Sequence, residues 1–129
     1  MRAVIPALFA LAVPAFVAPA QAATVIAYDQ AAFAAAQAAG KPILLFIEAS
    51  WCPTCAKQRP ILSGFYKEPG FANLQVMTID FDTQKDLIAA LGVNKQSTLI
   101  AYHGKDERAR ATGVTDPDKL RALVTSSES

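Results

Sequence analysis

Ile43-Leu44-Leu45-Phe46-Ile47-Glu48-Ala49-Ser50-Trp51-Cys52-Pro53-Thr54-Cys55 is the stretch from which the rest of the chain is read. Ile43 to Ile47 is a continuous apolar run without a charge, which predicts a strand covered on both faces and therefore a central one. That strand runs straight into Cys-x-x-Cys. If Cys52 caps a following helix, Pro53 falls at the first helical position, where its missing N–H costs nothing and its fixed φ suits the helix. Residues three apart on a helix share a face, so the two sulfurs can join as a disulfide. Cys52 then lies over unpaired backbone N–H groups at the positive end of the helix dipole, which stabilises thiolate over thiol. Cys52 is the candidate nucleophile and Cys55, one turn further in, the more buried resolving thiol. A structural bridge is the alternative, but a ring closed over two intervening residues removes little chain entropy.

With Gly40-Lys41-Pro42 before it and Pro60 five residues after the second cysteine, this stretch resembles the thioredoxin superfamily. Within it, the chain is similar to secreted thioredoxin-like domains, including the C-terminal periplasmic domain of the DsbD transmembrane reductase. Trp51, the cysteine pair and Pro60 match specifically, and the rest matches in pattern. The resemblance implies an α/β thioredoxin fold, with a mixed central β-sheet flanked by helices on both faces. It also implies thiol–disulfide oxidoreductase activity on protein substrates through a redox-active disulfide, Cys52–Cys55, with no other cofactor and no metal. Trp51, Pro53, Thr54, Ser97 and Thr98 are the candidate substrate-binding residues; Trp51 is an amphipathic ring suited to a peptide surface, with a partly buried packing residue as the alternative.

Three departures from the family pattern matter. Thioredoxins carry a buried Asp where this chain has Phe46, and a Lys where it has Val76. Glu48, the only acid in or beside the central strand, is a candidate proton relay in the missing Asp's stead; a solvent-facing residue at the strand's end is the alternative. The third departure is a proline. Thioredoxins place a cis-proline in an x-Pro-Thr sequence before the strand facing the cysteines, and its backbone pairs with bound substrate; here the sequence is Gln96-Ser97-Thr98-Leu99. A cis bond before a non-proline residue costs about 2.5–4 kcal/mol, so the Gln96–Ser97 bond is expected to be trans and the loop to differ. The Ser97 hydroxyl is then a candidate hydrogen-bond donor to the Cys52 thiolate, or Ser97 is merely a tolerated loop residue.

The amino end reads differently from the rest. Arg2, an apolar stretch from Ala3 to Ala18 broken by Pro6 and Pro14, and Ala20-Gln21-Ala22 predict a signal peptide over residues 1–22 and one domain over residues 23–129. A retained membrane anchor facing the periplasm is the alternative, disfavoured by the prolines and the short apolar run. Cleavage leaves basic and acidic side chains equal in number, so there is no electrostatic case for nucleic acid or an anionic membrane as partner. Both cysteines lie in the pair, and an exported chain with only a redox pair is a participant in thiol chemistry rather than a client of it.

A periplasmic, monomeric disulfide reductase supplied by a membrane thiol electron donor is the expectation. The helical insertion of the periplasmic oxidases is absent, which favours reductase over an oxidase or isomerase. A Cu(I) or soft-metal-binding protein is a further alternative, since a soft cysteine pair suits Cu(I). A module that binds disulfide-linked peptides without turnover is another.

Outward from the motif the element order reads βαβαβαββα. Thr24 to Tyr28 is a first strand, and Asp29 caps a helix ending at Gly40, with Tyr28 and Phe33 spaced as a hydrophobic staple. A second helix runs from Pro53 to about Tyr66 through Pro60, its solvated face carrying Lys57, Arg59 and Lys67. Leu74 to Phe81 is a third strand, and Thr83 with Asp86 resembles a capping box for a short helix stopped by Gly92. Thr98 to Tyr102 and Glu107 to Thr112 form a hairpin around His103-Gly104-Lys105-Asp106, with His103 an exposed turn residue. Thr115 or Asp116 caps a last helix, and the tail from Ser126 to Ser129 is expected to fray.

Overall fold

In the computed structural model of the chain, residues 12–17 and 22–129 are described. The expected signal peptide falls largely outside the described residues, and no helix among them is long and apolar enough to cross a membrane. The elements are β1 (Thr24–Ala27), α1 (Gln30–Ala38), β2 (Pro42–Glu48), α2 (Pro53–Tyr66), β3 (Gln75–Asp80), α3 (Lys85–Ala90), β4 (Thr98–His103), β5 (Asp106–Thr112) and α4 (Pro117–Thr125). Short 3-10 turns at Pro69–Phe71 and Ser126–Glu128 complete them.

The five strands form one mixed sheet in the order β1-β3-β2-β4-β5. β1, β3 and β2 run parallel, while β4 pairs antiparallel with β2 and β5 antiparallel with β4. β2 is therefore the central strand, and alternation sends its side chains to two cores. Leu44 and Phe46 join Leu62 and Phe65 of α2 and Leu120, Leu123 and Val124 of α4 on one face. Ile43, Leu45 and Ile47 join Phe33 and Ala36 of α1 and Ile88 of α3 on the other. A strand covered on both sides has no polar face, which is why this run carries no charge until Glu48.

The capping expectations hold at three helices and fail at one. Asp29 accepts the Ala32 N–H at 2.8 Å, Asp116 accepts the Lys119 N–H at 2.9 Å, and Cys52 caps α2. The Tyr28 and Phe33 rings lie 5.6 Å apart, and Gly40 follows the C-cap of α1 in the left-handed region at φ 68°. At α3, however, Thr83 makes no capping box; the N-cap is Gln84, without a side-chain cap bond. The backbone N–H of Thr83 is instead taken by Asp80 Oδ1, which folds the residues after β3 into a tight turn.

The tail also departs from expectation. Ser126–Glu128 is a 3-10 turn rather than a frayed end, with Ser127 fully buried and its hydroxyl donating to the Val124 carbonyl. His103 is correspondingly not an exposed turn residue: it ends β4, is half-buried, and its Nδ1 lies 2.8 Å from the Ser127 carbonyl oxygen. Four polar tail residues looked solvated in sequence, but a carbonyl offered to a strand-end imidazole holds them down.

Candidate redox-active site

β2 delivers the chain to the carboxyl edge of the sheet, and the cysteine pair follows within a few residues. Cys52 is the N-cap of α2 with extended backbone angles, φ −80° and ψ 110°, and Pro53 opens the helix. The Cys52 Sγ accepts the Cys55 backbone N–H at 3.0 Å, so a sulfur occupies the place of an N-capping oxygen. Cys52 and Cys55 are joined in a disulfide with their Cα atoms 5.3 Å apart. Both cysteines are buried, so exposure does not rank them; Cys52, the N-cap of α2 whose sulfur faces the helix N-terminus, is the candidate for exchange with an incoming thiolate. On reduction the same N–H and the helix dipole face the Cys52 sulfur, which favours its thiolate. Pro53 is exposed and Thr54 half-buried beside it.

Across the sheet edge lies the loop before β4. Among the described residues no peptide bond is cis, so Gln96–Ser97 is trans as expected. Ser97 is buried and sits in the left-handed region at φ 56°, the only non-glycine among the described residues to do so. That conformation costs a serine about 1–2 kcal/mol. Thr98 starts β4 opposite Ile47 of β2, and its hydroxyl donates to the Lys95 carbonyl at 2.8 Å while lying 2.9 Å from the Thr112 hydroxyl. The Ser97 carbonyl accepts from Gly113 N–H at 3.0 Å and from the side chain of Gln58 on α2 at 3.2 Å. Gln58 was not singled out from the sequence.

Trp51 projects from the other flank of the pair and is 55% exposed. Its indole N–H donates to Asp82 Oδ2 at 2.8 Å, and its ring meets Phe81 edge-on with centroids 6.5 Å apart. Lys85 Nζ lies 4.3 Å over the opposite partner in this stack, the Phe81 ring. Asp82 is itself placed by Asp80, whose Oδ1 accepts the Asp82 N–H at 2.7 Å. Sequence reasoning missed Asp82. The signal was available, because β3 runs parallel to β2, so whatever follows β3 emerges at the same sheet edge as the cysteines.

A thioredoxin family profile matches residues 24–126. The chain belongs to the thioredoxin family. Among solved structures it is similar to Trxlp from Edwardsiella tarda EIB202, at 39% identity and a TM-score of 0.76 over 78% of this chain and 98% of that one. It shares its fold with thioredoxin O2 from Arabidopsis thaliana in its oxidised state, at 20% identity and a TM-score of 0.66 over 81% and 93% of the two chains. In sequence it is similar to a thioredoxin of Chlamydia muridarum, 27% identical over 64% of this chain and 79% of that protein. A tryparedoxin of Trypanosoma brucei brucei is 41% identical over a shorter stretch, 33% of this chain; the chain thus spans only 31% of that protein's length. Thioredoxin-family membership together with a disulfide of Cys-x-x-Cys spacing supports thiol–disulfide oxidoreductase activity.

This thioredoxin-family chain carries its acid differently from the pattern described above. Glu48, the last residue of β2, is half-buried and pairs with Arg59 Nε of α2 at 3.0 Å. Arg59 also donates to the Ala49 carbonyl at 3.0 Å, so it is not part of a purely solvated helix face as the sequence implied. Glu48 and Phe46 share a small cavity of about 170 Å³ with Arg59, Leu62, Tyr66 and Val76. Burial, reinforced by the nearby Glu48 carboxylate, raises the Tyr66 phenol well above its ordinary pKa, and its hydroxyl has no hydrogen-bond partner. The family's Asp and Lys positions, Phe46 and Val76, are both buried and apolar here.

The Trp51 arrangement gives a prediction. An exposed indole fixed by one hydrogen bond and one ring is a preordered contact surface for a protein substrate. Trp51→Ala is expected to lower kcat/KM for a protein disulfide by roughly 5–30-fold, the effect of about 1–2 kcal/mol. Turnover of a small dithiol should stay within about twofold, because a small reagent makes no use of the indole. Equal losses for both substrates in steady-state assays contradict the contact role.

Proposed function

We propose that the chain is an exported disulfide reductase acting on protein substrates. The observation that carries the reading is the Cys52–Cys55 bridge at the start of α2, with Cys52 over the helix N-terminus, at the sheet edge where the Ser97 loop leads into β4 beside β2. In the reduced protein, the Cys52 thiolate attacks one sulfur of a substrate disulfide, forming a mixed disulfide and expelling the first substrate thiolate. Cys55 then gives up its proton and attacks the Cys52 sulfur. The Cys52–Cys55 bond forms, the second substrate thiolate leaves, and two electrons have passed to the substrate. In that cycle a Cys52–Cys55 bridge is the product. A dithiol donor must reopen it, and outside the cytoplasm a membrane thiol transporter is the class of partner that supplies one.

The reductase direction is supported by the likeness to a thioredoxin of Chlamydia muridarum and by the absence, among the described residues, of an added helical lobe. Pro53-Thr54 between the cysteines offers no imidazole to hold the Cys52 thiolate strongly, which argues against a strong oxidant. The experiment is catalysed reduction of insulin disulfides by dithiothreitol. A rate no greater than dithiothreitol alone overturns the reading. Export rests on the amino-terminal sequence pattern, and N-terminal sequencing of the protein from the native cell decides it: a chain beginning at Ala23 supports cleavage, one beginning at Met1 refutes it.

A further inference from the structure

One buried amide between the redox helix and the Ser97 loop takes no part in this chemistry. Gln58 lies one turn beyond Cys55 on the inner face of α2, in line with Cys55, Leu62 and Phe65, and is completely buried. Its Nε2 donates to two backbone carbonyls, Ser97 at 3.2 Å and Val114 at 2.9 Å, while its Oε1 is buried without a partner. The orientation follows from the partners: carbonyl oxygens only accept, so the amide nitrogen must face them and the oxygen must turn away. An aliphatic residue at position 58 would suit that face and leave no orphan oxygen. What the glutamine adds is a pair of donors aimed at the loops before β4 and after β5.

Ser97 is the residue that needs them. Its left-handed backbone is one a serine rarely adopts without outside support. The two donors on its carbonyl, Gly113 N–H and Gln58, are that support. We infer that Gln58 is a positioning residue for substrate binding: its amide holds the Ser97 backbone in the left-handed conformation that presents this loop to a substrate strand. The inference rests on the reductase reading, in which the loop beside Cys52 receives the peptide around the target disulfide. Because Gln58 acts through Ser97 and not on the sulfurs, it governs association and leaves bond exchange alone.

Gln58→Met tests this, since it keeps an unbranched side chain of similar volume and removes both donors. With insulin as substrate, KM is expected to rise about tenfold, equivalent to about 1.4 kcal/mol, with kcat within about twofold. Reduction of hydroxyethyl disulfide, which has no peptide strand to seat, should change by less than about twofold. Glycine adopts the left-handed region freely, so in a Ser97→Gly background the same Gln58→Met change should raise KM less than about threefold. An unchanged KM, an equal rise in both backgrounds, or parallel losses with both disulfides overturns the inference. Wild-type protein inactive on both disulfides fails the reductase reading itself, which is a separate result. Should Gln58→Met not fold, NMR of the wild type decides: slowed exchange of the Gln58 amide protons with a positive Ser97 φ supports the role, and fast exchange with a negative φ refutes it.

Discussion

Cys52→Ser should reduce insulin disulfides no faster than dithiothreitol alone, a loss of roughly 10³-fold or more against the wild type. The size follows from the chemistry: each factor of ten is about 1.4 kcal/mol of transition-state stabilisation, and a serine hydroxyl is not a nucleophile toward sulfur at neutral pH. Both cysteines of the chain lie in the pair, so no third thiol can substitute. Cys55→Ser fails differently. Its Cys52 can still attack, but no internal thiol resolves the mixed disulfide, so when the pre-reduced variant is freed of dithiothreitol and mixed with substrate, a covalent enzyme–substrate complex accumulates after one event. Non-reducing electrophoresis separates the two variants, with the complex expected for Cys55→Ser only. A complex trapped by Cys52→Ser instead would reverse the nucleophile assignment, which rests on Cys52 being the helix cap.

Leu45→Ala is expected to destabilise the fold by about 2–5 kcal/mol. Leu45 is completely buried in the middle of β2, paired on one side with Met77 of β3 and on the other with Ile100 of β4. The space left by its side chain is bounded by two strands and the α1/α3 core, none of which can collapse into it freely. A loss of about 3 kcal/mol in a domain of this size lowers Tm by roughly 10–25 °C, measurable by circular dichroism. Val25→Ala on the edge strand β1, where the side chain is half exposed, should change stability by less than about 1 kcal/mol. Comparable losses at the two positions would mean that β2 is not the structural centre.

What sequence could show here was local, and what it missed was reached across the fold. Pro53 after a capping residue marks the start of α2, Gly40 and Gly92 mark helix ends with φ near 70°, and the unbroken apolar run of β2 marks the central strand. Each of those signals is carried by residues within a few positions of the feature. Gln58 reaches 39 residues along the chain to Ser97, and Trp51 reaches 31 to Asp82, and no periodicity or turn signal encodes such pairings. The tail was misread for the same reason: Ser127 is polar and terminal, and it is buried because the last turn packs against β2, β4 and β5, with His103 of β4 meeting its carbonyl. The trans Gln96–Ser97 bond was legible because it follows from the energetics of a single peptide link. The left-handed Ser97 was not, since it depends on two donors brought in from α2 and from the residue after β5.

The measurement that bears most directly on the reductase reading is the reduction potential of the Cys52–Cys55 couple, by equilibration with glutathione and alkylation of free thiols. The short helix-capping motif without an imidazole predicts a value nearer thioredoxin, about −270 mV, than the strong oxidant DsbA, about −120 mV. Because about 30 mV is a tenfold change in the equilibrium constant of a two-electron couple, the two outcomes are separated by roughly five orders of magnitude. A value near −120 mV would contradict the reductase reading and make the chain a donor of disulfides.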